Sequence, residues 1–231
     1  MSRLAHIVLC TAALALCLVA LPLVSTGQEV TTDSQGRSVT TFPATASTPS
    51  PSVVKPDSAD PEGTTTIYSN FGPGYSYQQH AGWTESGPSS SSGPWIQAMA
   101  FTPNKGTYVL TKLDLAIVWV SGTNGYKLEL RDDDEGIPGR TIASWEVTGL
   151  PKGGTTSNTV ETIKAGGLII LERGHQYWLV PIPNSDEGAA WSLNTVSATG
   201  NGAYSHDGGE TWTSKVYNPN GAFDVLGFRL D

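Results

Sequence analysis

The residues "YVLTKLDLAIVWVSG", numbers 108–122, decide the fold class. In the middle of this run every second residue is large and apolar, and that set is Leu113, Leu115, Ile117 and Trp119. Asp114 and Ala116 fall between them and belong to the opposite face. A period of two is the pattern of a β-strand, whose successive side chains point to opposite faces. We therefore predict a strand over this run.

Five further runs have the same alternation, and they are "YKLELRD", "TIASWEV", "HQYWLVPIP", "AAWSLN" and "AFDVLGFRL". They are rich in β-branched and aromatic residues and are separated by Gly, Asn, Asp and Pro. "GTNG", residues 122–125, predicts a tight hairpin, because Asn-Gly tolerates the positive φ that such turns need. No long segment has helical periodicity. The sequence thus predicts an all-β fold, a two-sheet antiparallel β-sandwich of jelly-roll type.

The first 27 residues are typical of a secretory signal peptide. Arg3 precedes an apolar run over 7–21, and Ser25 and Gly27 are small residues at a plausible cleavage site. A retained membrane anchor is the alternative, although the run is shorter than the ~18 apolar residues of a spanning helix. We expect a secreted protein that is extracellular or associated with the cell surface, with no membrane span after cleavage. Both cysteines lie in this segment, so the mature chain has no disulfide framework.

Composition divides the remaining chain into two parts. Residues 28–63 are rich in Ser, Thr and Pro and have few apolar residues, which predicts a disordered linker. All seven tryptophans and eight tyrosines lie between Tyr68 and Tyr217, so residues 64–231 are predicted to form the β-sandwich domain. The formal net charge of −8 argues against a nucleic-acid partner, since phosphate binding needs a basic face.

The order of several motifs resembles a known family. "YSNFGPGYSY", "GWTESGP", "QAMAFTP", "SWEVTGLP" and "GAFDVLG" occur in an order similar to that of the choice-of-anchor domains of secreted bacterial proteins, in particular the R type. The resemblance spans about residues 66–227 and implies export and a β-sandwich fold. It brings no established activity. The chain departs from the members with a sorting tail, because it stops at "GFRLD" without a Pro-Glu-Pro motif, so anchoring is not implied.

"SHDGGETW", residues 205–212, brings a serine, a histidine and an aspartate together. Neighbouring side chains of a strand point to opposite faces, so Ser205, His206 and Asp207 are not expected to form a catalytic relay. The spacing instead resembles a single Asp-box, a hairpin turn in which the aspartate accepts backbone N–H bonds and the tryptophan packs beneath. The residues of this predicted structural motif are Ser205, Asp207, Gly209, Thr211 and Trp212.

"LRDDDEGIPGR", residues 130–140, places carboxylates close together before a glycine. Asp132 and Asp134 are candidate calcium ligands, since calcium prefers carboxylate oxygens. The EF-hand pattern fails, because Ala143 stands where its last glutamate would be. The alternative is an exposed loop between two strands. Apart from calcium the sequence indicates no cofactor, and its scattered histidines give no zinc-site spacing.

Aromatic residues cluster at the start of the domain, and they are Tyr68, Phe71, Tyr75, Tyr77, Trp83 and Trp95. Aromatic faces that reach solvent stack on sugar rings, so Tyr75, Tyr77, Trp83 and Trp95 form a candidate carbohydrate platform. The alternative is that most of these rings belong to the core. We predict a non-catalytic extracellular domain that acts in surface structure or binding, with a polysaccharide or a cell-surface component as partner. A carbohydrate-binding module and a glycoside-active hydrolase are the alternatives.

Overall fold

The computed structural model describes residues 27–43, 63–154 and 160–231. Residues 1–26 of the predicted signal peptide and 44–62 of the predicted linker lie outside these ranges. No helix of the described residues is long and apolar enough to cross a membrane.

The described residues form an all-β fold with one short 3-10 turn at Pro73–Tyr75. The strands are β1 (Glu29–Thr32), β2 (Ser38–Thr41), β3 (Thr65–Ser69), β4 (Tyr77–Ser86), β5 (Ile96–Phe101), β6 (Tyr108–Leu115), β7 (Ile117–Ser121), β8 (Gly125–Asp134), β9 (Ile137–Thr148), β10 (Glu161–Lys164), β11 (Ile170–Leu171), β12 (Tyr177–Pro183), β13 (Gly188–Asn194), β14 (Gly200–Ser205), β15 (Thr213–Tyr217) and β16 (Phe223–Arg229).

These strands make three antiparallel sheets that do not close into a barrel. The largest has the order β15-β14-β5-β12-β8-β9. A five-stranded sheet has the order β1-β2-β4-β13-β7, and a four-stranded sheet has the order β10-β6-β16-β3, with β11 also paired to β6. The predicted all-β sandwich is confirmed.

The main core lies between the six-stranded sheet and the two smaller sheets. Phe101 of β5 faces Phe223 of β16, with ring centroids 6.4 Å apart, and Trp83 of β4 meets Tyr217 of β15 edge-on at 4.8 Å. Both contacts join the six-stranded sheet to one of the smaller sheets. The sandwich therefore has two layers, and its second layer consists of two sheets.

The second layer is divided within the run that predicts the fold. Leu113, Leu115 and Ile117 are all buried as predicted, but β6 and β7 belong to different sheets. At Ala116 the backbone leaves the ladder, where its N–H donates to Ala222 O and its carbonyl accepts from Ser192 N. The predicted count of two sheets was therefore too low, because side-chain alternation continues through a change of partner strand.

The predicted Asn-Gly hairpin at 122–125 is also wrong. The turn joins β7 to β8, which lie in different sheets. Asn124 accepts from the Leu150 N–H at 2.7 Å and donates to the Leu150 carbonyl at 2.9 Å. Its side chain thus holds a corner between two layers, where it replaces the ladder bonds of a hairpin.

Residues 28–43 were predicted to be linker, and the structure corrects this. β1 and β2 form a hairpin, and β2 pairs with β4. The hydroxyls of Ser38 and Thr40 are buried against Thr84, at 2.9 and 2.8 Å. Hydroxyl groups that bond one another can be buried at little cost. A Ser/Thr-rich stretch can for that reason form an interior strand despite its polar composition.

Arg37 joins this hairpin to both layers. The residue is only 6% exposed, and its guanidinium carbon lies 4.5 Å from the Trp83 ring centroid and 4.8 Å from that of Tyr217. It forms an ion pair with Asp33 at 2.6 Å and donates to the Val216 carbonyl at 2.8 Å. Cation–π contacts and pairing compensate the burial of a guanidinium. The hairpin is therefore part of the folded domain.

Candidate functional site

The Ser205–Trp212 segment connects β14 to β15 as a turn held by its own side chains. Ser205 Oγ donates to Asp207 Oδ1 at 2.7 Å and accepts from Gly209 N at 2.9 Å. The carboxylate of Asp207 also accepts the N–H of Thr211 at 2.9 Å and its hydroxyl at 2.5 Å. Hydrogen bonds from Thr211 and Ser205 hold the pKa of Asp207 well below its usual range.

The same geometry separates the serine from the histidine. His206 is exposed, its Nδ1 lies 3.3 Å from Pro94 O, and its ring meets Trp95 edge-on with centroids 3.9 Å apart. The Ser205 hydroxyl is bonded to Asp207. A nucleophile needs a base within hydrogen-bond reach, so this arrangement gives Ser205 no histidine base. Trp212 is half-buried and packs against the outer face of the six-stranded sheet.

The predicted aromatic platform does not assemble. Tyr77 and Trp83 are 4% and 2% exposed and belong to two separate apolar clusters. Tyr75 contacts Phe71 beside the 3-10 turn, whereas Trp95 lies near Tyr204 and His206. The four rings share no surface because β4 turns its large aromatics into the interior. Tyr77 and Trp83 are corrected from candidate ligand residues to core residues.

The predicted acidic loop is a tight hairpin between β8 and β9. Glu135 and Gly136 have φ of 53° and 86°, as a two-residue turn with positive φ requires. Asp132 Oδ1 contacts His175 Nε2, which is the main cause of a lowered pKa for that carboxyl, and Asp134 is exposed. Among the described residues no three His, Cys, Asp or Glu side chains are arranged to hold a metal ion.

A cleft of about 290 Å³ opens at the end of the six-stranded sheet opposite to this Ser205–Trp212 turn. β14 runs from one to the other, with Gly200 at the cleft and Ser205 at the turn. The lining residues come from β3, β5, β14 and the segments next to β5, β12 and β14, and they are Tyr68, Ala100, Phe101, Thr102, Asn104, Gln176, Thr199, Gly200 and Asn201. None of them carries a charge.

Side-chain amides form one wall of the cleft. Asn201 Nδ2 donates to Gln176 Oε1 at 2.8 Å, and Gln176 Nε2 donates to Asp133 Oδ1 at 2.6 Å. Asn104 and Thr199 are exposed at the rim. Amides and hydroxyls each donate and accept, which suits a ligand whose own groups do the same.

The aromatic side of the cleft is Tyr68. Its ring is half-buried and stacks on Phe223 at 4.7 Å, and burial raises the pKa of its hydroxyl, which stays protonated at neutral pH. Behind Tyr68 and Gly200 lies Asn220, which is fully buried and whose side chain interacts with the Tyr68 hydroxyl and opposes the rise of its pKa.

The sequence gives little indication of this site. Tyr68 belonged to the aromatic set, but Gln176 and Asn201 had no motif around them, and they meet Tyr68 only because strands distant in sequence are adjacent in the fold. The alternation of β12 and the flanking position of Gln176 could have placed it at a strand end. They could not have identified its neighbours.

Fold and cleft together define an all-β sandwich domain with an uncharged polar cleft at one end of its larger sheet. Comparison with known proteins gives no family, because no family model, no curated protein and no solved structure matches the chain. The resemblance to choice-of-anchor domains stays a prediction from the sequence.

Proposed function

We propose that this chain is a non-catalytic, secreted binding domain and that the cleft takes a carbohydrate, as part of an extracellular polysaccharide or a cell-surface glycan. The observation that carries the proposal is the composition of the cleft. Among the described residues, one half-buried tyrosine, three amide side chains and two threonines line it, and none of those that line it is charged.

Each of these groups matches a feature of a sugar. A ring C–H face packs on an aromatic side chain such as Tyr68, and each sugar hydroxyl both donates and accepts, as the amides of Asn104, Gln176 and Asn201 do. A volume of about 290 Å³ is just below the range of typical ligand sites, roughly 300–1,000 Å³. The size favours one sugar residue at a chain end or branch over an extended oligosaccharide.

The lining residues also support a binding role over glycoside hydrolysis. Hydrolysis of a glycosidic bond requires a pair of carboxyl groups across the scissile bond, and none of the described residues that line the cleft is Asp or Glu. The nearest carboxylate in the hydrogen-bond network, Asp133, is bonded to Gln176 and to Trp178. It therefore supports the wall and has no place opposite a second acid.

The test is a glycan array probed with the mature chain, followed by calorimetric titration of the strongest ligands. Asn201→Ala and Asn104→Ala should each weaken binding about fivefold, the loss of one hydrogen bond worth about 1 kcal/mol. Asn184→Ala is the matched control, because Asn184 is an exposed asparagine after the opposite end of β12. Equal affinities in all three variants, or release of free sugar during the titration, would refute the proposal.

A further inference from the structure

Asp133, the second of three consecutive aspartates in the β8–β9 hairpin, lies behind the amide wall of the cleft. Asp133 Oδ1 accepts two hydrogen bonds, from Gln176 Nε2 at 2.6 Å and from Trp178 Nε1 at 2.7 Å. Its Oδ2 accepts from Gly136 N at 3.1 Å. Trp178 is fully buried, so its indole N–H is a fixed donor. The carboxylate is therefore held from three directions.

A carboxylate fixed in this way decides how the neighbouring amide is oriented. An ionised carboxylate only accepts hydrogen bonds, so Gln176 must direct its NH₂ group toward Asp133. The Gln176 Oε1 then faces Asn201, which must donate a hydrogen bond from its own NH₂ group, as the 2.8 Å contact shows. The opposite amide orientation would place two acceptors against each other. The orientation of both amides thus follows from the charge of Asp133.

We propose that Asp133 is a positioning residue that fixes the donor and acceptor pattern of the cleft, so that the cleft selects a neutral sugar residue over an acidic one. The proposal rests on the proposed carbohydrate binding. With its NH₂ group directed at Gln176, Asn201 presents Oδ1 as an acceptor to a ligand hydroxyl. In the part of the chain that the structure describes, no residue that lines the cleft is a cation that could pair with a sugar carboxylate, and Asp133 itself places a negative charge behind the wall.

Two variants separate positioning from general destabilisation. Asp133→Ala removes the acceptor of the Gln176 amide, whereas Asp134→Ala changes the adjacent exposed acid of the same hairpin and is the matched control. Trp178→Phe removes one donor to Asp133 and leaves the bond to Gln176 in place. The denaturation midpoint of each variant shows how far it is destabilised.

The first readout needs no sugar. In ¹⁵N-edited spectra the side-chain NH₂ of Gln176 should give two widely separated proton signals in the wild type, in Asp134→Ala and in Trp178→Phe. In Asp133→Ala these signals should move together toward the values of a free amide. Unchanged Gln176 signals in Asp133→Ala would overturn the positioning role.

The second readout is affinity, measured with methyl glycosides of glucose, galactose, mannose and N-acetylglucosamine and with methyl glucuronide. We expect the best neutral glycoside to bind the wild type at least tenfold more tightly than the glucuronide, and Asp133→Ala to lose about tenfold in affinity and most of this preference. Tighter binding of the glucuronide, or an unchanged preference in Asp133→Ala, would overturn the selection while the proposed function stands. A wild type that binds no carbohydrate on the array overturns the proposed function and the selection with it.

Discussion

The two ends of the six-stranded sheet both carry polar side chains, but their hydrogen-bonding groups are used differently. In the Ser205–Trp212 turn, the oxygens of Ser205, Asp207 and Thr211 bond to one another and to the backbone of the same turn. At the cleft end, Asn201 bonds to Gln176 through its Nδ2, and the rim side chains of Asn104 and Thr199 are exposed. A dense polar motif can thus satisfy its own hydrogen-bonding groups, whereas the cleft has exposed polar side chains at its rim.

The largest effect that separates the two ends is expected at Trp212. Trp212→Ala should lower the free energy of unfolding by about 3 kcal/mol, because the half-buried ring covers the outer apolar cluster of the six-stranded sheet. Carbohydrate affinity, measured on protein that is still folded, should not change. Denaturant unfolding and calorimetric titration check the two parts. A loss of affinity without a loss of stability would assign the turn to the ligand site.

Tyr68 is expected to give a mixed effect, since its ring belongs to both the core and the cleft. Tyr68→Ala should cost about 2 kcal/mol of stability through the lost stacking on Phe223 and should also weaken carbohydrate binding by about tenfold. Tyr68→Phe keeps the ring and serves as the control. Its carbohydrate affinity should stay within about threefold of the wild type, and its free energy of unfolding should change much less than that of Tyr68→Ala. Full affinity in Tyr68→Ala would show that the ring faces no ligand.

A change in pH should alter the free energy of unfolding and leave the charge of the described residues that line the cleft unchanged. Burial raises the pKa of Glu187 to about 7 and that of Asp224 to about 6. The native state then holds these protons more tightly than the unfolded chain does, so their contribution is full below about pH 4 and is lost as the pH rises through 6 and 7. Between pH 5 and 8 we expect the free energy of unfolding to fall by several kcal/mol, since each unit of pKa shift is worth about 1.4 kcal/mol.

The denaturation midpoint across this range measures the effect, and Glu187→Gln should make the fall shallower. Of the described residues that line the cleft, Tyr68 alone has an ionisable side chain, and its pKa is raised, so none of them ionises between pH 5 and 8. A midpoint that rises from pH 5 to pH 8 would contradict the assignment of raised carboxyl pKa values.

The smallest effect is expected from calcium. Asp132 is paired with His175 and Asp134 is exposed, so we expect millimolar calcium to leave the melting temperature and the carbohydrate affinity within error. A bound ion would instead stabilise the fold by about 2.7 kcal/mol at a hundredfold excess over its Kd. A clear rise in melting temperature on adding calcium that is lost in Asp132→Ala would support the predicted calcium site.

Local patterns predicted the strands well and their partners poorly. The burial of Leu113, Leu115 and Ile117 followed from alternation, but the change of sheet at Ala116 did not, because alternation is a property of one strand and pairing is a property of two. Asn124-Gly125 had the stronger hairpin signal, yet the tight hairpin is at Glu135-Gly136.

Composition gave a wrong prediction where polar side chains are buried because neighbouring groups satisfy their hydrogen bonds. Ser38 and Thr40 read as linker residues, and they are buried because Thr84 satisfies their hydroxyls. The cleft was not predictable for a related reason. Gln176 and Asn201 are ordinary polar residues in the sequence, and only the adjacency of β12, β5 and β14 brings them near Tyr68.

The most direct test of the cleft as the ligand site is an amide chemical-shift titration of the mature chain with the glycan that binds best on the array. We expect the shifts to concentrate at Thr102, Gln176, Thr199 and Asn201, with no change over Ser205–Trp212. Shifts that instead concentrate at the turn or at Trp95 and His206, with none at the cleft, would contradict this expectation.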